Sequence, residues 1–192
     1  MDNDVSAGSA FSASVLGHLA LGLTLLAFGI GHTGVLDGVT AADAVTLALY
    51  VGGIGLFIAG LLEFRAGHSF TGTAFAALGA FWFTWGTGAG QQVTAEAAGS
   101  FLILWALLAL SLTVGATGAG PFVQGTYALL GVALVLLAVG QFADSSGITK
   151  VGGWFAVVAG VASWYGATAA LAHWPATLPG RRAAGRNVTA TG

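Results

Sequence analysis

Few side chains in this 192-residue chain can do polar chemistry, because only 6% of its residues are charged. Glu63 and Arg65 stand two residues apart, at the junction of two long apolar runs. His18, Ser163 and Tyr165 lie inside such runs, and Gln141 ends one. A carboxylate beside a guanidinium suggests an ion-paired turn or vestibule. A histidine suggests proton exchange, since imidazole titrates nearest neutral pH. Hydroxyl and amide groups offer hydrogen bonds to a polar solute. In a membrane, groups of this kind face a bundle interior or a cavity. Structural roles compete with each reading. Glu63 could be an interfacial carboxylate held by water or Arg65, and His18 a hydrogen-bonded histidine at a helix contact.

The same inventory excludes other chemistries. There is no His-Glu-x-x-His, no paired-Asp motif and no Ser/His/Asp set, so no enzyme activity is expected. The four histidines, 18, 32, 68 and 173, are scattered, and no metal or cofactor is expected. The absence of cysteine removes disulfide and thiol chemistry. A light-driven protein would need seven spans and a lysine in the last helix. The lone lysine, Lys150, falls in the expected loop before span six. No nucleic-acid partner is expected.

The elements that must position the polar groups follow from composition. The chain is 56% hydrophobic, with a mean hydropathy of +0.88. Soluble domains carry about 25% charged residues, so this is an all-α membrane protein. The charges act as punctuation. They leave uncharged intervals from Asp4 to Asp37, Asp43 to Glu63, Arg65 to Glu96, Glu96 to Asp144 and Lys150 to Arg181. A spanning helix needs about 20 apolar residues. Each interval holds one span, and the Glu96–Asp144 interval holds two around Gly115–Pro121. Six transmembrane helices are expected, over 14–35, 44–63, 70–88, 96–115, 121–142 and 151–173. Helices are required because lipid cannot satisfy open backbone groups, and continuous apolar runs are unlike barrel strands.

The N-terminus lacks a basic region, so no cleaved signal peptide is expected. Arg65, Arg181, Arg182 and Arg186 fall on one side of a six-span topology and Lys150 on the other. That places both termini in the cytoplasm of a multi-pass plasma-membrane protein. The expected organisation is an N-terminal cytoplasmic segment over 1–13, a transmembrane domain over 14–174, and a disordered cytoplasmic tail over 175–192. The chain holds 32 glycines, with Gly52, Gly53, Gly55 and Gly60 in span two and Gly153, Gly160 and Gly166 in span six. Small residues let membrane helices approach closely. Glu63-Phe64 before an aromatic-rich span three parallels Gln141-Phe142 before an aromatic-rich span six. This suggests a 3+3 inverted repeat, a pattern common in transporters.

Residues 52–64 read Gly-Gly-Ile-Gly-Leu-Phe-Ile-Ala-Gly-Leu-Leu-Glu-Phe, followed by Phe70-Thr71-Gly72-Thr73-Ala74-Phe75 and Gly79-Ala80-Phe81-Trp82. This stretch resembles the acetate uptake transporter family, the succinate–acetate permeases. The family shows a glycine-rich second helix, a pattern close to F-A-G-L-L-E-Y/F, a short basic and glycine loop, then F-x-x-T-A-F and G-x-F-W. Leu136–Gln141 and Gly153-Trp154 through Tyr165 resemble the family's fifth and sixth helices, so the likeness covers most of residues 14–173. The resemblance implies a homo-hexamer in membrane lipid, each protomer with its own pathway. It implies uptake of acetate and related small monocarboxylates, with protons. It implies a narrow point at Leu21, Leu78 and Leu130. The family's typical residues at the first two positions are aromatic. It also places a substrate-size position at Ser163. One departure stands out: where the family opens helix one with N-P-x-x-L-G-L, residues 12–18 read Ser-Ala-Ser-Val-Leu-Gly-His.

Moving a carboxylate through an apolar constriction is costly. Dehydrating the ion in a low-dielectric medium costs on the order of tens of kcal/mol. The substrate can instead pass as the neutral acid, or donors can replace water on both sides of a short dry gate. Ser12, Ser14, Thr73, Ser163, Tyr165 and helix N-termini could supply such donors. No Lys or Arg lies mid-span. The expected mechanism captures the anion at the ends and passes it, proton-linked, through a dry leucine ring. His18 is the proton-sensitive candidate. The alternative is a channel for urea, short amides or ammonia, since apolar slots suit neutral solutes.

Overall fold

The computed structural model describes residues 2–88 and 93–174, with side chains from residue 13 onward. Six long helices make up the fold: α1 Asp2–Thr33, α2 Ala41–Arg65, α3 Ser69–Gly88, α4 Ala95–Gly115, α5 Pro121–Phe142 and α6 Ser146–Ala172. There is no strand among the described residues. Five of the helices are long and apolar enough to cross a membrane. The other is α3, which is 20 residues long, uncharged, and richer in Gly, Thr and Trp.

Two boundaries differ from those read from hydropathy. Helix α1 begins at Asp2, so the expected N-terminal segment continues the first span as helix. Helix α6 begins at Ser146, because Ser145 Oγ accepts from Ile148 N at 3.4 Å and caps it. Lys150 therefore lies exposed inside the first turns of α6, not in a preceding loop. The expected disordered tail, 175–192, lies outside the described residues.

Helix α2 is not uniform. It starts with a 3-10 turn over Ala41–Ala44, and Ala48–Gly55 winds as a π-helix before the α-helix resumes over Leu56–Arg65. A π segment widens the turn, and such segments occur mostly near functional sites. Here it carries Gly52 and Gly53 against its neighbours. A methyl on Gly52 would stand 2.7 Å from Thr24 Cγ2, and one on Gly53 3.1 Å from Phe83 Cα.

In each half of the chain the middle helix packs against both helices that flank it in sequence, α2 on α1 and α3, and α5 on α4 and α6. The halves meet mainly where α1 packs on α6. That seam is backbone on backbone. A methyl on Gly22 would stand 2.8 Å from Trp164 N, and one on Gly160 2.9 Å from Gly22 O. Gly29 and Gly153 repeat the arrangement seven residues along each helix. Without a hydrophobic drive between helices in lipid, this close approach is what holds the halves together.

Helices α2 and α5 end in the same kind of turn. His68 N donates to Glu63 O at 2.9 Å and Gly67 N to Phe64 O at 3.0 Å, with Gly67 at φ +85°. At the second end Ser145 N donates to Gly140 O at 3.0 Å and Asp144 N to Gln141 O at 3.3 Å, with Asp144 at φ +45°. Both satisfy the orphan carbonyls of a helix end through a left-handed residue. The likeness at Glu63-Phe64 and Gln141-Phe142 thus has a structural counterpart, shifted by one residue.

Candidate functional site: two cavities and the dry segment between them

One face of α1 organises the interior. His18, Leu21, Leu25, Phe28 and His32 follow one another at spacings of three and four residues, which places them along one helix face. Leu21, Leu25 and Phe28 are fully buried. The two histidines mark the ends of this buried stripe.

The first cavity, of about 200 Å³, lies among Ser14 and His18 of α1, Pro121 and Phe122 at the start of α5, and Ser163 and Gly166 of α6. His18 Nδ1 bonds to Ser14 O at 2.9 Å. Its Nε2 is buried with no partner among the described residues. The ring stands edge-on to Phe75 of α3, with centroids 4.9 Å apart. Ser163 Oγ donates to His18 O at 2.8 Å, tying α6 to α1 across the cavity wall. Gly17 makes room for this arrangement, because a methyl there would run into the Phe75 ring.

The second cavity, of about 500 Å³, lies at the opposite end of the bundle. His32 of α1, Thr84 and Trp85 of α3, Phe101 and Leu102 of α4, and Gln141 of α5 contribute to its lining. His32 Nδ1 bonds to Phe28 O at 2.7 Å, and its ring lies over Phe28 at 4.3 Å.

Between the cavities the interior is packed. Leu21, Leu78 and Leu130 are buried in one continuous cluster with Phe75, Phe81, Trp82 and Leu134. Two hydrogen-bond donors in this packed region, Trp82 Nε1 and Tyr127 Oη, have no partner among the described residues. Buried donors of this kind are costly to leave unmade.

Of the residues singled out from the sequence, the structure brings His18 and Ser163 to one cavity and Leu21, Leu78 and Leu130 to the dry segment. Gln141 lines the other cavity. Tyr165 is half-buried and packs tilted against Phe122, ring centroids 5.0 Å apart, behind the first cavity's lining. Thr73 is exposed on the outer face of α3, and its hydroxyl donates to Ser69 O at 2.8 Å. It does not join the cavity of His18. The side chain of Ser12 lies outside the described residues.

Glu63 and Arg65 do not pair with each other. Glu63 is 1% exposed, and its Oε2 meets His68 Nδ1 at 3.0 Å. Arg65 is exposed. Two residues along a helix turn about 200° round its axis, so the guanidinium leaves on the other side. His68 reaches the carboxylate because the turn at Gly67 folds it back. The partner is set by turn geometry rather than by charge.

The sequence reading missed His32 and Phe75. His32 was legible in the three-and-four spacing from His18, but counting histidines as scattered hid it. Phe75 could be found only through the contact of α3 with α1.

These elements define a class: a six-helix, multi-pass membrane protein with a polar-lipped cavity at each end of an apolar core. The chain belongs to the GPR1/FUN34/yaaH family, whose model matches residues 5–177. It is 30% identical over 157 residues to the succinate-acetate/proton symporter SatP of Escherichia coli K12, covering 77% of this chain and 81% of that protein. It is 28% identical over 150 residues to ammonia transport outward protein 2 of Saccharomyces cerevisiae, covering 66% of this chain and 53% of that protein. A solved structure described as the bacterial acetate channel SatP has the same fold, with a TM-score of 0.75 at 27% identity, covering 94% of this chain and 98% of that one.

Proposed function

We propose that the protein forms a passage for acetate and related small monocarboxylates across the cytoplasmic membrane, linked to protons. The observation that carries the proposal is the fully buried leucine set, Leu21, Leu78 and Leu130, between two cavities with polar lips. The resemblance to SatP in sequence and fold supports the substrate class.

The physics follows from the dry segment. An ionised carboxylate there would lose its hydration for on the order of tens of kcal/mol. A neutral acid avoids that cost. Its methyl or short alkyl group suits the leucine walls, and its O–H and C=O need partners only in the cavities. His18 supplies a proton-exchanging group at one end, and Ser163 fixes the helix that carries it. Glu63, held by His68, and the exposed Arg65 belong to the turn at the end of α2 and act as vestibule structure. Gln141 does so at the opposite end. Thr73 and Tyr165 are pathway candidates from sequence; Tyr165 supports the first cavity through Phe122. The protein works without chemical turnover of its substrate, as a homo-hexamer in lipid with both termini in the cytoplasm.

A second reading, passage of ammonia or another neutral solute, is supported by the likeness to the yeast protein named for ammonia transport. Liposomes carrying the purified protein separate the two readings. Labelled acetate is expected to equilibrate faster than urea or methylammonium. The reverse order would overturn the carboxylate reading. Replacing His18 with Leu is expected to flatten acetate uptake against pH, and an unchanged profile would remove His18 from the mechanism.

A further inference from the structure

We infer that His18 and His32 are paired proton stations, one in each cavity, that convert the carboxylate to the neutral acid on one side of the dry segment and back on the other. The inference rests on the carboxylate reading and adds to it a residue, His32, and a division of labour.

Both rings are held alike. Each Nδ1 lies against the carbonyl four residues earlier, Ser14 O for His18 and Phe28 O for His32. A carbonyl only accepts, so Nδ1 carries the hydrogen in both. The neutral ring then keeps its lone pair on Nε2. In His18 that nitrogen is buried with no partner among the described residues. His32 lines the larger cavity together with Thr84 and Gln141. Fourteen residues at about 1.5 Å each set the two stations about 21 Å apart on one face of α1. Leu21, Leu25 and Phe28 fill that face between them, all fully buried.

Among the described residues, no other titratable side chain lines either cavity. Around His18, α3 presents Phe75 and α5 presents Pro121 to Val123, and α6 presents Ser163. Tyr165 stands behind Phe122, and Tyr127 is buried in the core. Around His32, α3 presents Thr84 and Trp85, α5 presents Gln141, and α6 packs Gly153 on the His32 Cβ. The charged residues nearest in sequence to these surfaces are Glu96, next to Ala97, Asp144, three residues past Gln141, and Asp37, five residues past His32, all exposed. Lys150 lies beside Gly34, and Glu63, buried at the end of α2, meets His68.

The proton balance closes without a proton wire through the leucines. At protonated His32, the Nε2–H bond breaks as an O–H bond forms on the carboxylate. This leaves neutral imidazole and neutral acid. The acid crosses. At His18 the acid O–H breaks and Nε2–H forms, giving carboxylate and imidazolium. His18 then releases its proton to water on its own side once the ring turns Nε2, buried in this structure, into the cavity, and His32 is reloaded from the other. One proton crosses with each acid, carried by the acid itself.

The test is acetate uptake into proteoliposomes of one orientation, with the pH on the His32 side varied at constant total acetate. Direct entry of undissociated acid falls tenfold per pH unit throughout the range above pH 5.5, because a carboxylic pKa lies near 4 to 5. Entry through a protonated histidine instead runs flat at low pH and falls only as the histidine deprotonates. The intact protein is expected to show that plateau, and His32→Gln is expected to lose it and follow the tenfold line. Varying the pH on the His18 side is expected to affect His32→Gln and the intact protein alike. A plateau retained in His32→Gln overturns the inference. A tenfold line in the intact protein, with saturable acetate uptake, also overturns it and leaves the carboxylate reading standing. No protein-dependent acetate uptake at all overturns the carboxylate reading itself. Should His32→Gln fail to fold, nitrogen-15 spectra of histidine in the intact protein decide. His32 and His18 resonances are expected to titrate and to shift on adding acetate. A His32 signal blind to both would overturn the inference.

Discussion

Replacing Gly22 with alanine tests whether the α1–α6 seam sets the geometry of the first cavity. The added methyl would stand 2.8 Å from Trp164 N, where ordinary contact begins at 3.4 Å. The obstacle is backbone, so no side chain can swing aside. The helices must part by the difference, about 0.6 Å. A gap of about 0.5–1 Å forfeits a quarter or more of each van der Waals contact, and a seam of about 40–60 atom pairs at about 0.1–0.2 kcal/mol each then loses about 1–3 kcal/mol. Alanine's better helix propensity returns up to about 1 kcal/mol. From the middle of that range the net loss is about 1 kcal/mol, or about 2–4 °C in unfolding temperature. The same displacement would stretch the 2.8 Å bond from Ser163 Oγ to His18 O to about 3.4 Å, beyond normal hydroxyl geometry. Acetate flux should therefore fall with stability. Thermal unfolding in detergent and uptake in liposomes measure the two. Gly125→Ala is the control, since nothing lies within 4 Å of a methyl there. Adding Gly160→Ala to Gly22→Ala should cost less than the sum of the two, because both methyls demand the same separation. A Gly22→Ala protein that unfolds no lower than the Gly125→Ala control would refute the packing argument.

Two further outcomes are expected. Gly67→Ala meets no atom within 4 Å but must hold φ +85°, so it should cost about 1–2 kcal/mol through backbone strain alone, read as a lower unfolding temperature with acetate selectivity unchanged. Leu78→Ala opens the buried leucine set, and the ratio of butyrate to acetate uptake should rise severalfold; an unchanged ratio would take Leu78 out of selectivity.

The six-helix plan was legible in the chain because hydropathy is a local property and the charges are sparse. Asp43 to Glu63 or Lys150 to Arg181 needs no partner to be recognised as a span. The limits of the reading fall where local composition is silent. Five residues of α6 were missed because Ser145 caps the helix through a single hydroxyl, which moves Lys150 from loop to helix. The π segment of α2 is apolar throughout and leaves no mark on hydropathy.

The site was legible in part for the same reason. Leu21, Leu78 and Leu130 were placed through a family resemblance, and the fold buries all three in one cluster. Glu63 was recognised as exceptional, with water or Arg65 as its expected partner. Only the turn at Gly67 makes His68 the partner. Thr73 was one of several hydroxyls that could serve as a pathway donor, and the rotation of α3 turns it outward.

What the sequence determined by itself is the number of spans, their apolar character and the scarcity of groups able to handle a charge. Those follow from the cost of placing backbone and charge in lipid, which each segment meets alone. The tertiary structure decided which of those groups share a cavity. His18 and Ser163 are far apart in the chain and are joined by a bond that exists only because glycine seams let α1 and α6 touch. That close packing, rather than any local motif, places a histidine at each end of a dry leucine core.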